Sequence, residues 1–151
     1  MRSAENEEEI KCLINRRVEA IKNKDIEGAT KNYSPDLILF DVIGPLQHTG
    51  SGSIKKRLED WFSTFKDNEN VGFEIAALSI TADTDAAFCH SLNHANAILK
   101  DGNKLDMWWR ETLNWQKIDG EWQVTHAHSS VPFDVNSGKP SLGLKPEDVE
   151  V

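Results

Sequence analysis

Residues 104–130 read KLDMWWRETLNWQKI-DG-EWQVTHAHSS, and this stretch decides the architecture. Side chains of mixed character alternate on either side of Asp119-Gly120, and Asp-Gly suits a tight turn that needs positive φ. The reading is a hairpin of two long strands, Lys104–Ile118 and about Glu121–Val131. Further towards the N-terminus, Asp101-Gly102 signals a second hairpin, with a strand over Ala86–Leu99. The Asp83–Asp85 turn leads back to another strand, Gly72–Ala82. Short turns between successive strands dictate an antiparallel meander.

Ahead of the strands the apolar period changes. Ile10, Leu13, Ile14, Val18 and Ile21 recur at three- and four-residue steps, which predicts a helix from about Asn6, its N-cap, to Lys24. Asp25 is placed to cap a short second helix carrying Ile26, Ala29 and Tyr33. Ser34-Pro35 ends it, because proline disfavours helical backbone in the residue before it. Asp36–Val42 is a β-rich run, and Gly44-Pro45 and Gly50-Ser51-Gly52 bracket a loop or short edge strand. A third helix, about Ser53–Phe65, collects Ile54, Leu58, Trp61, Phe62 and Phe65 on one side. The expected class is α+β: a curved antiparallel sheet with N-terminal helices packed on its concave face. Residues 1–133 are read as a single domain and 134–151 as an extended tail rich in Pro, Gly, Ser and Lys. The outer sheet face needs cover, and a homodimer through that face is the expected answer.

A chain of 151 residues suits one domain with one core. Its net charge of −8 argues against nucleic acid, which demands a clustered basic surface. The basic clusters Arg16–Arg17 and Lys55–Lys56–Arg57 sit in helices that also carry acids, and read as solvated faces. Met1–Glu9 holds four glutamates and no apolar run, unlike a signal peptide, and no stretch is long enough to span a bilayer. Cys12 and Cys89 alone suggest a reduced compartment, so a cytoplasmic protein is expected. Cys89 reads as a small buried hydrophobe. No phosphate-cradling glycine loop, Gly-x-Ser-x-Gly elbow or Cys-x-x-Cys pair occurs.

Strand alternation then sorts side chains by face. One side of the third long strand presents Asp106, Trp108, Arg110, Thr112 and Asn114, and the other Met107, Trp109, Glu111, Leu113 and Trp115. On the last strand Trp122, Val124, His126, His128 and Ser130 share a side, and His90 lies in a similar row on the second. The first set on each strand mixes aromatics with ionisable groups, as a ligand pocket does, or else is a core face whose polar members pair internally. On the pocket reading these sets point towards the helices. Asp41, at the end of a hydrophobic strand, is then a proton acceptor at the pocket wall, or alternatively a loop cap. His126 and His128 could act as acid or base near neutral pH. Two histidines at this spacing lack the further ligands of a zinc site, so no metal is expected. Arg110 could clamp a carboxylate or enolate oxygen, or pair with Asp106 or Glu111. Trp108 and Trp122 would form walls, with Trp61, His90, Asp106 and Thr112 completing the substrate contacts.

The stretches Asp106-Met-Trp-Trp-Arg110-Glu-Thr112, Lys117-Ile-Asp-Gly-Glu-Trp122 and His126-Ala-His128-Ser-Ser-Val-Pro132-Phe resemble the SnoaL-like, ketosteroid-isomerase-like branch of the nuclear-transport-factor-2-like superfamily. Lys24-Asp25-Ile26-Glu27-Gly28 and Tyr33-Ser34-Pro35-Asp36 fit the same pattern, and the likeness runs to about Pro140. The resemblance implies the cystatin-like fold but spans isomerases, cyclases, dehydratases and non-enzymatic scaffolds. Steroid isomerases of this kind use an Asp base with a Tyr and a protonated Asp. By the resemblance Asp41 takes the place of the base, Arg17 that of the tyrosine and Thr112 that of the second aspartate. Both neutral donors are thus replaced, which counts against steroid isomerisation itself. The expectation is a pocket for a small, partly apolar organic molecule with a carbonyl or carboxylate, and cofactor-free proton transfer if it is an enzyme. Its rival is a non-catalytic dimerisation or partner-binding module with a filled cavity and an outer face bearing Trp109, Leu113 and Trp115.

Overall fold

The computed structural model describes residues 1–150. Its elements are α1 (Ala4–Lys22), α2 (Ile26–Thr30), β1 (Tyr33–Phe40), β2 (His48–Thr49), α3 (Ser51–Phe62), β3 (Gly72–Ala82), β4 (Ala86–Ile98), β5 (Lys104–Ile118) and β6 (Glu121–Ser130). Helix α1 starts three residues earlier than the spacing predicts, because Ser3 rather than Asn6 is the cap: Ser3 Oγ accepts from the Asn6 N–H at 3.2 Å. Asp25 caps α2 as expected, accepting from the Gly28 N–H at 3.0 Å. Tyr33 opens β1 instead of closing the preceding helix. Helix α3 runs from Ser51 to Phe62, and Gly50 supplies the left-handed bend before it with φ of 90°.

Six strands form one curved, unclosed sheet in the order β2-β1-β6-β5-β4-β3. The meander β3–β6 is antiparallel throughout, on the turns expected. β1 departs from that pattern and lies parallel to β6, Leu39 beside Ala127 and Phe40 beside His128. No tight turn joins the two strands, so local turn chemistry did not fix their relative direction. Among the described residues no helix is long and apolar enough to cross a membrane.

The helices cover the concave face. Ile10 and Ile14 of α1 meet Leu37, Leu113, Trp115, Trp122 and Val124, while Ile21, Phe62, Phe65, Val71, Phe73 and Ala95 form a second apolar cluster. Each isoleucine, leucine, valine or phenylalanine among them contributes about 1.5–3 kcal/mol when fully buried, which outweighs the weak local preferences of the short elements.

Strand parity differs from the sequence expectation, and the reason is local. On β6, Trp122 and Val124 point inward, yet so do Ala127 and Ser129. Asn114 pairs with His126 and the adjacent Trp115 with Val124, so Thr125 is an extra residue and the alternation slips there. His126 and His128 are therefore carried to the outer face, where both rings pack edge-on against Phe40. His128 is exposed, and His126 is half-buried with its Nδ1 2.8 Å from the Ile38 carbonyl. On β5 the whole strand is turned the other way from the pocket reading: Glu111, Leu113 and Trp115 are buried inside. Asp106, Trp108, Arg110 and Thr112 lie outside, in register with Asn96, His94, Leu92 and His90 of β4. Both faces of β5 carry tryptophan and an acid, so composition alone chose the wrong one.

The tail is not simply extended. Phe133 bridges Pro140, and the Asp134 N–H donates to the Lys139 carbonyl at 2.8 Å, so the segment folds back as a small hairpin. The Ser141 N–H then donates to the Pro132 carbonyl at 2.8 Å.

Candidate functional site

Curvature of the sheet and the bridging helices leave a cavity of about 380 Å³ between them. Most of its wall is apolar: Ile21, Leu37, Leu39, Ile54, Leu58 and Phe73, with Met107 and Trp109 from β5, Trp61 from α3 and Ala127 from β6. The rim is made of exposed residues, Val42 and Ile43 beyond β1 and Pro140 and Leu142 of the tail. That volume lies in the range of small-molecule sites.

Two ion pairs interrupt the apolar wall. Arg17 on α1 points across to β5 and donates to both oxygens of Glu111, at 2.8 and 3.2 Å. Glu111 is only 6% exposed and is further fixed by Asn93, whose Nδ2 donates to Oε1 at 3.1 Å. Asn93 Oδ1 in turn accepts from Ser91 Oγ at 2.7 Å. Burial works against the Arg17 charge, but the neighbouring Glu111 carboxylate holds the guanidinium above its ordinary range. The same guanidinium lies over the Tyr33 ring, 5.6 Å from its centroid. Burial pushes the Tyr33 phenol up to about 12, against the opposing pull of Arg17, so it is a neutral O–H at working pH.

Nearer the rim stands the second pair. Asp41 Oδ2 accepts from both Nε and Nη2 of Arg57, and Oδ1 accepts from the Val42 N–H at 2.7 Å. Asp41 is thus both a cavity-lining carboxylate and a local backbone cap.

Of the residues singled out from sequence, the structure brings Asp41, Arg17 and Trp61 together in this cavity. It leaves the others elsewhere. Trp122 is 1% exposed in the core, under Lys117 rather than in the cavity wall. His90 and Thr112 stand in one row on the outer face beside His128. Arg110 donates from Nε to Ser130 Oγ at 3.1 Å, out of reach of the cavity. Asp106 pairs with His94 rather than Arg110, at 2.6 Å from Nε2, and that bond holds its carboxyl below the usual range. His94 Nδ1 also meets Glu74 at 2.9 Å, and Trp108 stacks on the imidazole with centroids 4.4 Å apart. Trp109, Leu113 and Trp115 face inward, so the outer face does not carry the apolar trio expected of a partner-binding module.

Four contributors escaped the sequence reading. Arg57 falls in a basic cluster that reads as solvated, although with Ile54, Leu58 and Trp61 it forms one helical stripe, the signal that finds it. Tyr33 fits the apolar stripe of a helix in sequence but opens β1, and Glu111 and Asn93 sit on the strand faces opposite the rows that read as a pocket.

The folded sheet with a helix-lined cavity defines the nuclear-transport-factor-2-like, cystatin-like class, and comparison bears this out. An NTF2-like protein of unknown function from Pseudomonas putida KT2440 is 32% identical over 97% of this chain and 100% of that one, with a TM-score of 0.86. A nuclear transport factor 2-like superfamily protein from Salmonella enterica (23% identity, 89% and 96% covered, TM-score 0.74) shares the fold. So does a ketosteroid isomerase-like protein from Erwinia carotovora atroseptica (20% identity, 85% and 97% covered, TM-score 0.69). No curated protein matches. Residues 10–134 match the SnoaL-like domain, and the chain belongs to that family. The matched span stops short of Pro140 and Leu142.

Proposed function

We propose that the chain binds a neutral, mostly apolar organic molecule bearing a carbonyl, and that Asp41 moves a proton on the carbon beside that carbonyl. The observation that carries this reading is the neutralisation of both cavity arginines. Arg17 is already matched by Glu111 and Arg57 by Asp41. A ligand carboxylate would have to displace a carboxylate in place, whereas a neutral carbonyl needs only a free donor. The Tyr33 hydroxyl and the N–H groups of Arg17 not held by Glu111 supply such donors beside an apolar wall.

Proton transfer asks for few parts. Asp41 Oδ1 carries one backbone hydrogen bond and keeps a lone pair free. As its O–H forms, the C–H bond breaks and the electron pair moves to the carbonyl oxygen. Tyr33 and Arg17 meet the charge that develops there, and the proton returns to the same carbon or a conjugated one. Every electron stays in the substrate, so no oxidant or reductant enters.

The pairing of Asp41 with Arg57 also favours a binding-only reading, because the guanidinium already occupies Oδ2 through two N–H groups and leaves only Oδ1 to face a substrate. One experiment separates them: exchange of the α-protons of a straight-chain methyl ketone into deuterated water, followed by NMR. Catalysis predicts exchange that falls about 10²–10⁴-fold in Asp41→Asn. Binding without exchange leaves the non-catalytic reading. Self-association belongs to the same proposal, and the outer face is its surface, where Phe40 and Phe88 are exposed among His90, His126 and His128.

A further inference from the structure

The cavity wall has a gap that the family-matched part of the chain does not fill. Strand β6 ends with Ser130 opposite Arg110, so Lys104–Trp109 of β5 have no strand on that side. Two residues of this unpaired stretch, Met107 and Trp109, line the cavity. The chain beyond β6 turns back through the Phe133–Pro140 bridge and brings Pro140 and Leu142 against the same space. The hydrogen bond from the Ser141 N–H to the Pro132 carbonyl fixes the segment at one end.

We propose that this C-terminal segment is the specificity wall of the cavity, and that Leu142 sets the length of apolar ligand it accepts. The inference rests on the cavity being a ligand site, and it adds which residue discriminates. Three observations point to Leu142. It stands at the rim, 46% exposed, where an apolar side chain gains little unless something apolar lies against it. It is unbranched at Cβ and held in a loop, so it can yield to or block a chain end without disturbing the core. And it lies past residue 134, where the match to the SnoaL-like domain ends, so this wall is a feature of the chain outside the shared domain. Leu144, two residues on and 40% exposed, does not line the cavity and serves as the internal control.

The test is a titration of the full chain with a homologous series of straight-chain methyl ketones, read by the fluorescence of the cavity tryptophans Trp61 and Trp109. Each methylene the cavity accommodates should raise affinity about fourfold, and the gain should stop at a definite chain length in the parent protein. Leu142→Ala should move that limit to longer ketones, and Leu142→Trp to shorter ones, each by at least one methylene. Leu144→Ala should leave it in place. A limit that stays put in both Leu142 variants, with the parent still binding, would overturn the inference and spare the cavity reading. A parent that binds no member of the series would overturn the cavity reading itself, and this inference with it.

Discussion

Removing the Glu111 carboxylate would leave the Arg17 guanidinium, 17% exposed, beside Tyr33 with no counter-charge. Glu111→Leu should therefore cost about 3–5 kcal/mol in urea denaturation, while adding Arg17→Met should recover much of that loss. A pair that contributed by attraction alone would show no such recovery. Tyr33 permits a cleaner reading, because it is the chain's single tyrosine. Spectrophotometric titration of the folded protein should place the phenol near 12, against about 10 in the unfolded chain. The sign follows: a phenol raised in the folded state favours folding fully below pH 10, and that contribution is lost as pH climbs from 10 towards 12. At the outer face, His126→Ala and His128→Ala should leave ketone binding unchanged, since neither ring lines the cavity.

The register shifts at three strand pairings, β1 with β6, β3 with β4 and β5 with β6, and such shifts mark where sequence reading stops working. On β3 the pairing slips between Ala76 and Ser79, and Ala77 is held at φ of 53°. That conformation is natural to glycine, so Ala77→Gly should be neutral or raise stability by up to about 1 kcal/mol, where glycine in an ordinary strand position lowers it. Thermal unfolding would decide the sign. The four long strands were legible because Asp-Gly turns and run lengths are local signals, and their ends agree with the structure to within one residue. Facing was not legible. Alternation carries a period of two but no origin, and a single extra residue at Thr125 reverses everything after it. A strand that looked like an inward histidine row is in fact an inward Ala127 and Ser129 row. The direction of β1 was equally hidden, because its partner β6 lies at the far end of the sequence.

For the molecule as a whole, the helices, the curved sheet and the tail are three parts of one container. Asp41, Arg17 and Trp61 reach it from just past β1, from α1 and from α3; Asp41 was legible from its strand end and Trp61 from a helical stripe, whereas Arg17 came only from the family resemblance, its cluster with Arg16 reading as a solvated face. Of their partners, Arg57 shares the α3 stripe with Trp61 and could have been found there, but its pairing with Asp41 and that of Glu111 with Arg17 join distant elements and leave no trace in spacing. The claim on which all else depends is that the Met107–Trp109–Glu111 side of β5 encloses the ligand. Five tryptophans give five indole N–H signals, and two of the residues, Trp108 and Trp109, are neighbours on opposite faces. A methyl ketone titration followed by NMR of the indole N–H groups addresses it directly. The account predicts that Trp61 and Trp109 shift on addition while Trp108, stacked on His94, does not. Shifts at Trp108 with Trp109 unmoved would contradict it.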